Sequence, residues 1–222
     1  MLIVIIPSYE AESGLSQLLP QLAGERVIVS DGGSVEGSLL CAAKAGASLA
    51  CGAKGRGAQL RLGAHLAALS GDAQDWYLFL HADSSLPDGW RAVVARAMTQ
   101  RDPRYFRFKA EATGWRAVLM NRMVGLRCWA LRLPYGDQGL LVSRALYEQV
   151  GGYGAMPLFE DVDIVGRLKH AANLRPLPAS LSTDVSQHWE NGVWRRGLRN
   201  LRLLWRYKRG ASVEELRQAY RQ

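Results

Sequence analysis

Trp76-Tyr77-Leu78-Phe79-Leu80-His81-Ala82-Asp83 is the stretch that sets the fold of this chain. An apolar run from Trp76 to Leu80 ends abruptly in polar groups. Unbroken apolar runs read as strands buried on both faces, which means a parallel sheet between layers of helix. In such sheets ligands sit beyond the carboxyl ends of the strands, so Asp83 falls where chemistry is expected. If the extended conformation persists, His81 and Asp83 point the same way. An imidazole and a carboxylate converging there can hold a divalent cation, and the cation a diphosphate. The plainer alternative is that Asp83 caps the turn before Pro87.

Upstream, the pattern repeats. Residues 2–6 read as a first buried strand ended by Pro7, with Ser8-Tyr9-Glu10 as its loop. Leu15, Leu18, Leu19 and Leu22 have the spacing of a helix packed on a sheet, and Gly24 ends it. Val27-Ile28-Val29-Ser30 is a second strand followed by Asp31-Gly32-Gly33-Ser34. The glycines let backbone approach a ligand; taken alone, this loop reads better as a tight turn capped by Asp31. A helix near 36–45, a strand near 48–51 and a small-residue helix over 58–69 complete the half. Lys54-Gly55-Arg56-Gly57-Ala58-Gln59 precedes that helix. It is neither a Walker A nor a GxGxxG loop, yet it brings a guanidinium and flexible backbone to a helix start, which can receive a phosphate.

Downstream, Pro87-Asp88-Gly89 opens a helix carrying Trp90, Val93, Val94 and Ala97. Residues 104–109 alternate like a half-exposed strand. Residues 114–133 form a longer helix with a stripe of Trp115, Val118, Leu119, Met123, Leu126, Trp129 and Leu133, and arginines between. This is either a core helix or one lying on a membrane surface. Pro134 to Gly139 is a polar turn before the strand Leu140-Leu141-Val142 and a helix from Arg144 to Val150. Glu160-Asp161-Val162-Asp163 then opens another helix. Acids are favoured at a helix N-terminus, but three exceed what capping needs, and one of them poised as a general base is the sharper reading. Residues 174–185 hold a strand or two, and Gln187-His188-Trp189-Glu190 is a polar-aromatic cluster. A basic helix over 193–209 and a last helix opened by Ser212-Val213-Glu214-Glu215 close the chain. The order β-α-β-α-β-α-β gives an α/β fold, an open, doubly wound sheet with right-handed crossovers.

At 222 residues the chain makes one domain, or one domain with an appendage. The net charge of +8 is uneven: residues 104–132 carry seven basic residues and one acid, and residues 193–209 carry seven and none. Such segments suit anionic lipid, polyphosphate or nucleic acid, or are simply solvated helix faces. The three cysteines are scattered without CxxC spacing, which argues against zinc or disulfides and makes a reducing cytoplasm the expected location. No apolar stretch is long enough to span a bilayer, and the opening residues read as a strand rather than a signal peptide.

Six motifs in order carry a resemblance over nearly the whole chain: Ile5-Ile6-Pro7-Ser8-Tyr9-Glu10, Asp31-Gly32-Gly33-Ser34, Gly55-Arg56-Gly57-Ala58-Gln59, Phe79-Leu80-His81-Ala82-Asp83, Gly136-Asp137-Gln138-Gly139 and Phe159-Glu160-Asp161-Val162-Asp163. Together they resemble a family-2 glycosyltransferase of the GT-A fold, most of all a small bacterial subgroup whose genes neighbour radical-SAM or selenium-related ones. The resemblance implies a mostly parallel sheet flanked by helices, residues 1–190 as the transferase domain and 191–222 as a basic C-terminal helical extension. The nucleotide-binding half would be about 1–100 and the acceptor half about 101–190. It further implies an inverting enzyme that moves a sugar from a nucleoside diphosphate, UDP first, to a hydroxyl or lipid-phosphate acceptor, with Mg2+ or Mn2+.

The implied roles follow the motifs. Pro7, Tyr9 and Glu10 line the nucleotide pocket, Asp31 bonds uracil or ribose, and Arg56 contacts base or diphosphate. His81-Ala82-Asp83 stands where the family carries Asp-x-Asp, with Asp83 as the metal-linked carboxylate and His81 as a candidate second ligand. Asp161 matches the base. Gln138, Glu160 and Arg167 face the acceptor, and His188-Trp189 falls where some relatives close a loop over the diphosphate. The two basic segments would bring the enzyme to the inner face of an anionic membrane; no nucleic acid is expected. Two rivals share parts of the pattern. A sugar-nucleotide pyrophosphorylase needs a basic Gly-rich loop directly after strand one, where Ser8-Tyr9-Glu10 stands. A non-catalytic membrane- or nucleic-acid-binding protein leaves the carboxylates at the strand ends without a purpose.

Overall fold

A computed structural model describes residues 1–183 and 193–221. The strands are β1 (Leu2–Ser8), β2 (Arg26–Asp31), β3 (Ser48–Cys51), β4 (Trp76–Phe79), β5 (Ser84–Ser85), β6 (Arg104–Ala110), β7 (Leu140–Ser143) and β8 (Arg175–Thr183). The helices are α1 (Glu12–Leu18), α2 (Glu36–Lys44), α3 (Arg56–Leu69), α4 (Trp90–Met98), α5 (Trp115–Leu131), α6 (Arg144–Gln149), α7 (Glu160–Ala171), α8 (Val193–Lys208) and α9 (Val213–Arg221). One mixed sheet has the order β3-β2-β1-β4-β7-β6-β8-β5. β3, β2, β1 and β4 run parallel; β7 enters antiparallel to β4 and to β6, and β6 is parallel to β8.

The central strands are buried on both faces, as their unbroken apolar runs require. Ile3 and Ile5 of β1, with Tyr77 and Phe79 of β4, join one core cluster with residues of α3, α7 and α8. Val4 and Ile6, with Trp76 and Leu78, join the other with α1 and α4. α3 lies close on its face because Gly63 has no side chain: a Cβ there would stand 2.6 Å from Ile5 Cγ2. On the same face α8 buries Leu203 and Leu204, and its Tyr207 ring stacks at 5.2 Å on Phe159.

Three local expectations change. Pro7 does not end β1, which runs on to Ser8. The Ile5 carbonyl faces β4, accepting from Leu80, so Pro7, two residues on, faces that side beyond the end of β4, and its missing N–H costs no ladder bond. The helix of residues 15–22 breaks after Leu18 into a 3₁₀ turn, Leu19–Leu22, with Pro20 at its start. Extended backbone does not persist to Asp83: it stops at Phe79, and residues 81–84 form a turn closed by Ser84 N–H to His81 O at 3.2 Å.

That turn has a geometric consequence. β5 begins five residues after β4 ends, yet lies four positions away in the sheet. In a flat sheet that distance is about 19 Å, more than five fully extended residues reach, at most about 18 Å. The sheet must therefore curl, carrying the β8–β5 edge back over the carboxyl end of β4.

Candidate functional site

The loops after β1 and β2 are stitched into one ridge. Asp31, 1% exposed, accepts from Gly33 N at 2.8 Å, Ser34 N at 2.7 Å and Ser34 Oγ at 2.6 Å. Three of a carboxylate's roughly four acceptor sites are thus spent inside its own loop. Glu10 adopts a left-handed φ of 50°, donates its N–H to Ser34 Oγ at 2.7 Å and accepts from Val35 N at 3.0 Å. Tyr9 is exposed beside it, with the Lys54 ammonium 3.3 Å from its ring centroid. Beneath, the buried Gln59 amide donates to Ser8 O and, at 3.1 Å, to Ser30 O, while its oxygen accepts from Gly55 N at 3.3 Å. One side chain therefore ties the ends of β1 and β2 to the loop that opens α3.

A second cluster lies at the carboxyl end of β4. Phe159, at φ 64°, turns the chain into α7 and puts Glu160 and Asp161 in its first turn, 2% and 8% exposed. Arg56, from the start of α3, donates to Glu160 Oε1, reaches Asp161 Oδ2 at 3.5 Å, and stands 3.5 Å from His81 Nε2. Asp161 also accepts from Gly136 N at 2.9 Å and from its own helix at Val162 N, 2.8 Å. Gly136 has room for this only as glycine, since a Cβ would meet His81 Nε2 at 2.6 Å. The space left among these groups is about 10 Å3, no more than one water needs. Burial opposes the Arg56 charge, but Asp161 and Glu160 outweigh it and raise its pKa. Burial raises Glu160 against the pull of Arg56. Burial, helped by Arg56, pushes His81 down to about 3 although its ring keeps some contact with solvent, so the imidazole is neutral at pH 7.

Asp137 is the carboxylate that sequence reasoning passed over. Burial lifts it to about 6, opposed by Arg127 and helped by the charges of Asp161 and Asp83. Its Oδ1 is buried and has no hydrogen-bond partner among the described residues. The signal was present in Tyr135-Gly136-Asp137-Gln138-Gly139, an acid between two glycines. Tyr153 was also missed; it lines the cluster with Arg56 and Asp161, its phenol raised well above 10 by burial and by neighbouring acidic groups.

Other expected residues lie apart from these clusters. Pro7 is half-buried within β1, and Ala82 is buried in the turn with its carbonyl against Gly14 of α1. Gln138, 1% exposed, turns inward: its amide donates to Phe106 O at 3.2 Å and accepts from Arg127 at 3.0 Å. Arg167 pairs with Asp163 and donates to Val150 O and, at 2.7 Å, to Gly152 O, fastening that loop to α7. His188 and Trp189 lie outside the described residues.

Among the described residues no three His, Cys, Asp or Glu side chains are grouped as a metal cage. The donor chemistry still suits a hard cation at one point: Asp83 is exposed at the turn, and Asp137 offers a buried carboxylate oxygen with no hydrogen to accept. His81 suits it less, because its Nε2 faces the Arg56 guanidinium.

No protein-family model and no curated protein matches the chain. Solved structures do. S. aureus TarS matches with a TM-score of 0.63 at 17% identity, over 83% of this chain and 37% of that one. The fold is that of the GT-A glycosyltransferases. TarS 1–349 in complex with UDP-GlcNAc gives 0.61 at 17% identity, over 82% and 58%. M. tuberculosis glucosyl-3-phosphoglycerate synthase, with Mn2+, UDP-glucose and phosphoglyceric acid, gives 0.56 at 18%, over 90% and 78%. The chain thus spans just over a third of the TarS chain in that structure. On this GT-A frame both clusters sit at the carboxyl ends of β1, β2 and β4, where an open α/β sheet presents its ligand crevice.

Proposed function

We propose that this chain is an inverting, hexosyl-transferring enzyme of glycosyltransferase family 2, in the radical-SAM- and selenium-associated subgroup that its motifs resemble. It takes the sugar from a nucleoside diphosphate, UDP first, to a hydroxyl or lipid-phosphate acceptor. The observation that carries this reading is the convergence of Arg56, His81, Glu160 and Asp161 at the end of β4. The fold shared with structures that hold UDP-GlcNAc or UDP-glucose with Mn2+ supports it.

The ridge formed by Tyr9, Glu10 and the Asp31 loop receives the base and ribose, with Pro7 fixing where the ridge leaves the sheet. Arg56 holds Glu160 and turns its remaining N–H groups to the diphosphate, stabilising charge that grows on the leaving oxygen. Asp161, aimed by the Gly136 and Val162 amides, takes the acceptor proton as the acceptor oxygen attacks opposite the leaving group. Glu160 keeps Arg56 in reach, and Gln138 and Arg167 shape the acceptor side by fixing its backbone. Asp83 and Asp137 would hold Mg2+ or Mn2+, which would supply Lewis-acid neutralisation of the diphosphate. Residues 1–190 form the catalytic unit, with α8 and α9 as a basic extension. Among the described residues no helix is long and apolar enough to cross a membrane; the basic segments bring a cytoplasmic enzyme to the inner membrane face. Calorimetric titration of UDP against wild type and Asp83→Ala, with Mn2+, Mg2+ or EDTA, tests the donor half. Metal-dependent micromolar binding lost in the variant is expected. Silence towards UDP, GDP and dTDP with metal present overturns the reading.

A further inference from the structure

A cleft of about 620 Å3 lies apart from the acid cluster, between α5, β6 and β8. That volume is the size of a small-molecule site. Its walls are mainly apolar, with Tyr105, Phe108 and Val124 among them, yet Arg107, Arg132 and Arg175 also line it and no acidic side chain does. All three arginines are exposed. The same helix turns its large apolar side chains outward: Trp115, Leu126 and Trp129 are 67%, 62% and 79% exposed, while Ala117 and Cys128 face in. Their spacing keeps them on one stripe. Trp129, on this stripe, also lines the cleft, with Arg132 beside it just past the helix end, so the exposed apolar side of α5 adjoins the cavity. Apolar walls below and guanidinium groups at the opening complement one chemistry, a hydrocarbon chain with an anionic head.

We infer that this cleft binds an anionic amphiphile, its chain between α5 and the sheet and its phosphate or other acidic head on Arg107, Arg132 and Arg175. This deepens the lipid-phosphate part of the transferase reading by naming a place for such a molecule, and in that respect rests on it; Gln138 lines the cleft too, and binding measured without turnover fails or holds separately from the donor reaction. The amphiphile is either a bilayer lipid reached along the α5 ridge or a soluble alkyl phosphate.

Gly125 makes a direct test available. It lines the cleft, and a Cβ added there meets nothing within 4 Å, so Gly125→Leu can be built without a clash at its Cβ and takes up part of the cleft. Binding of dodecyl phosphate below its micelle concentration is followed by tryptophan fluorescence and calorimetry, with dodecanol and inorganic phosphate as controls. Dodecyl phosphate should bind at least about tenfold more tightly than dodecanol and about a hundredfold more tightly than inorganic phosphate, and Gly125→Leu should weaken it about tenfold with thermal unfolding no lower than in the wild type. If Gly125→Leu does not fold, Arg175→Gln carries the test, weakening dodecyl phosphate but not dodecanol. Equal binding by wild type and the cleft variant, or inorganic phosphate binding as well as dodecyl phosphate, overturns the proposal. Sedimentation with phosphatidylcholine vesicles containing phosphatidylglycerol, lost in Gly125→Leu, supports it with bilayer lipid as the source. Dodecyl phosphate binding without sedimentation supports it with a soluble source.

Discussion

α3 and α5 use small residues in the same way and large ones in opposite ways. Each packs on the sheet through residues that let the backbones approach: Gly63 and Ala64 for α3, Ala117 and Cys128 for α5. α3 stands amid the core, and its large side chain Leu60 is buried. α5 packs over β6, and its tryptophans and leucines go to the outside. Bulk alone therefore does not tell which side of a helix faces in. Each helix also delivers one arginine to the acids: Arg56 from α3 to Glu160 and Asp161, Arg127 from α5 to the neighbourhood of Asp137.

The sharpest way to separate the two acid positions is by rate. Asp161→Asn keeps its shape and its bond from Gly136 but cannot take a proton, so turnover should fall about 10²–10⁴-fold with UDP binding unchanged. Turnover within a few-fold of wild type would move the base elsewhere, with Glu160 the next to test.

On the α5 side the readout is stability against pH in metal-free buffer. The folded protein holds a proton on Asp137 up to about 6, where the unfolded chain releases it at 3.8. Stability from this group therefore falls as pH rises through that window and stays low above it. Asp137→Asn should remove the slope and raise stability above pH 6 by on the order of 2 kcal/mol. His81 works in the opposite sense. Lowered from 6.5 to about 3, it costs stability as pH falls below 6.5, so His81→Asn should flatten the acid limb that Asp137→Asn leaves exposed. Urea unfolding at a series of pH values checks both, and parallel curves for wild type and variants would show that neither group is desolvated.

The glycines of the two helices sharpen the packing contrast at smaller magnitude. Gly63→Ala drives a methyl to 2.6 Å from Ile5 Cγ2 and should cost about 1–3 kcal/mol. Gly125→Ala meets nothing and should stabilise by about 0.5–1 kcal/mol through helix propensity alone. Thermal unfolding of the pair reads both; the same sign for the two would erase the distinction between the buried and the outward helix.

The sequence made the parallel strands legible because burial on both faces leaves nothing but apolar residues in them. It also located Arg56, His81 and Asp161, whose motifs fall at element ends. It did not reveal that β7 enters antiparallel, since pairing direction leaves no trace in a four-residue strand such as Leu140–Ser143. β5 was missed because two serines carry no period at all. Gln138 and Arg167 showed only their polarity; what they bond is set by backbone carbonyls distant in sequence. The α5 stripe was plain, but its direction was not, because periodicity fixes a face and only packing fixes which way it looks.

The turn from His81 to Ser84 is pinned at both ends, to β4 in the middle of the sheet and through β5 to Thr183 and Ser182 at its rim. It works as a length gauge. Where Asp83 stands is tied to how tightly the sheet is rolled, and the four residues that bridge the gap set a lower limit on that curl. An extra residue there would give slack and let the carboxylate wander; one fewer would have to wind the whole sheet tighter. The position of a single acid is in this way a reading of the shape of the entire molecule.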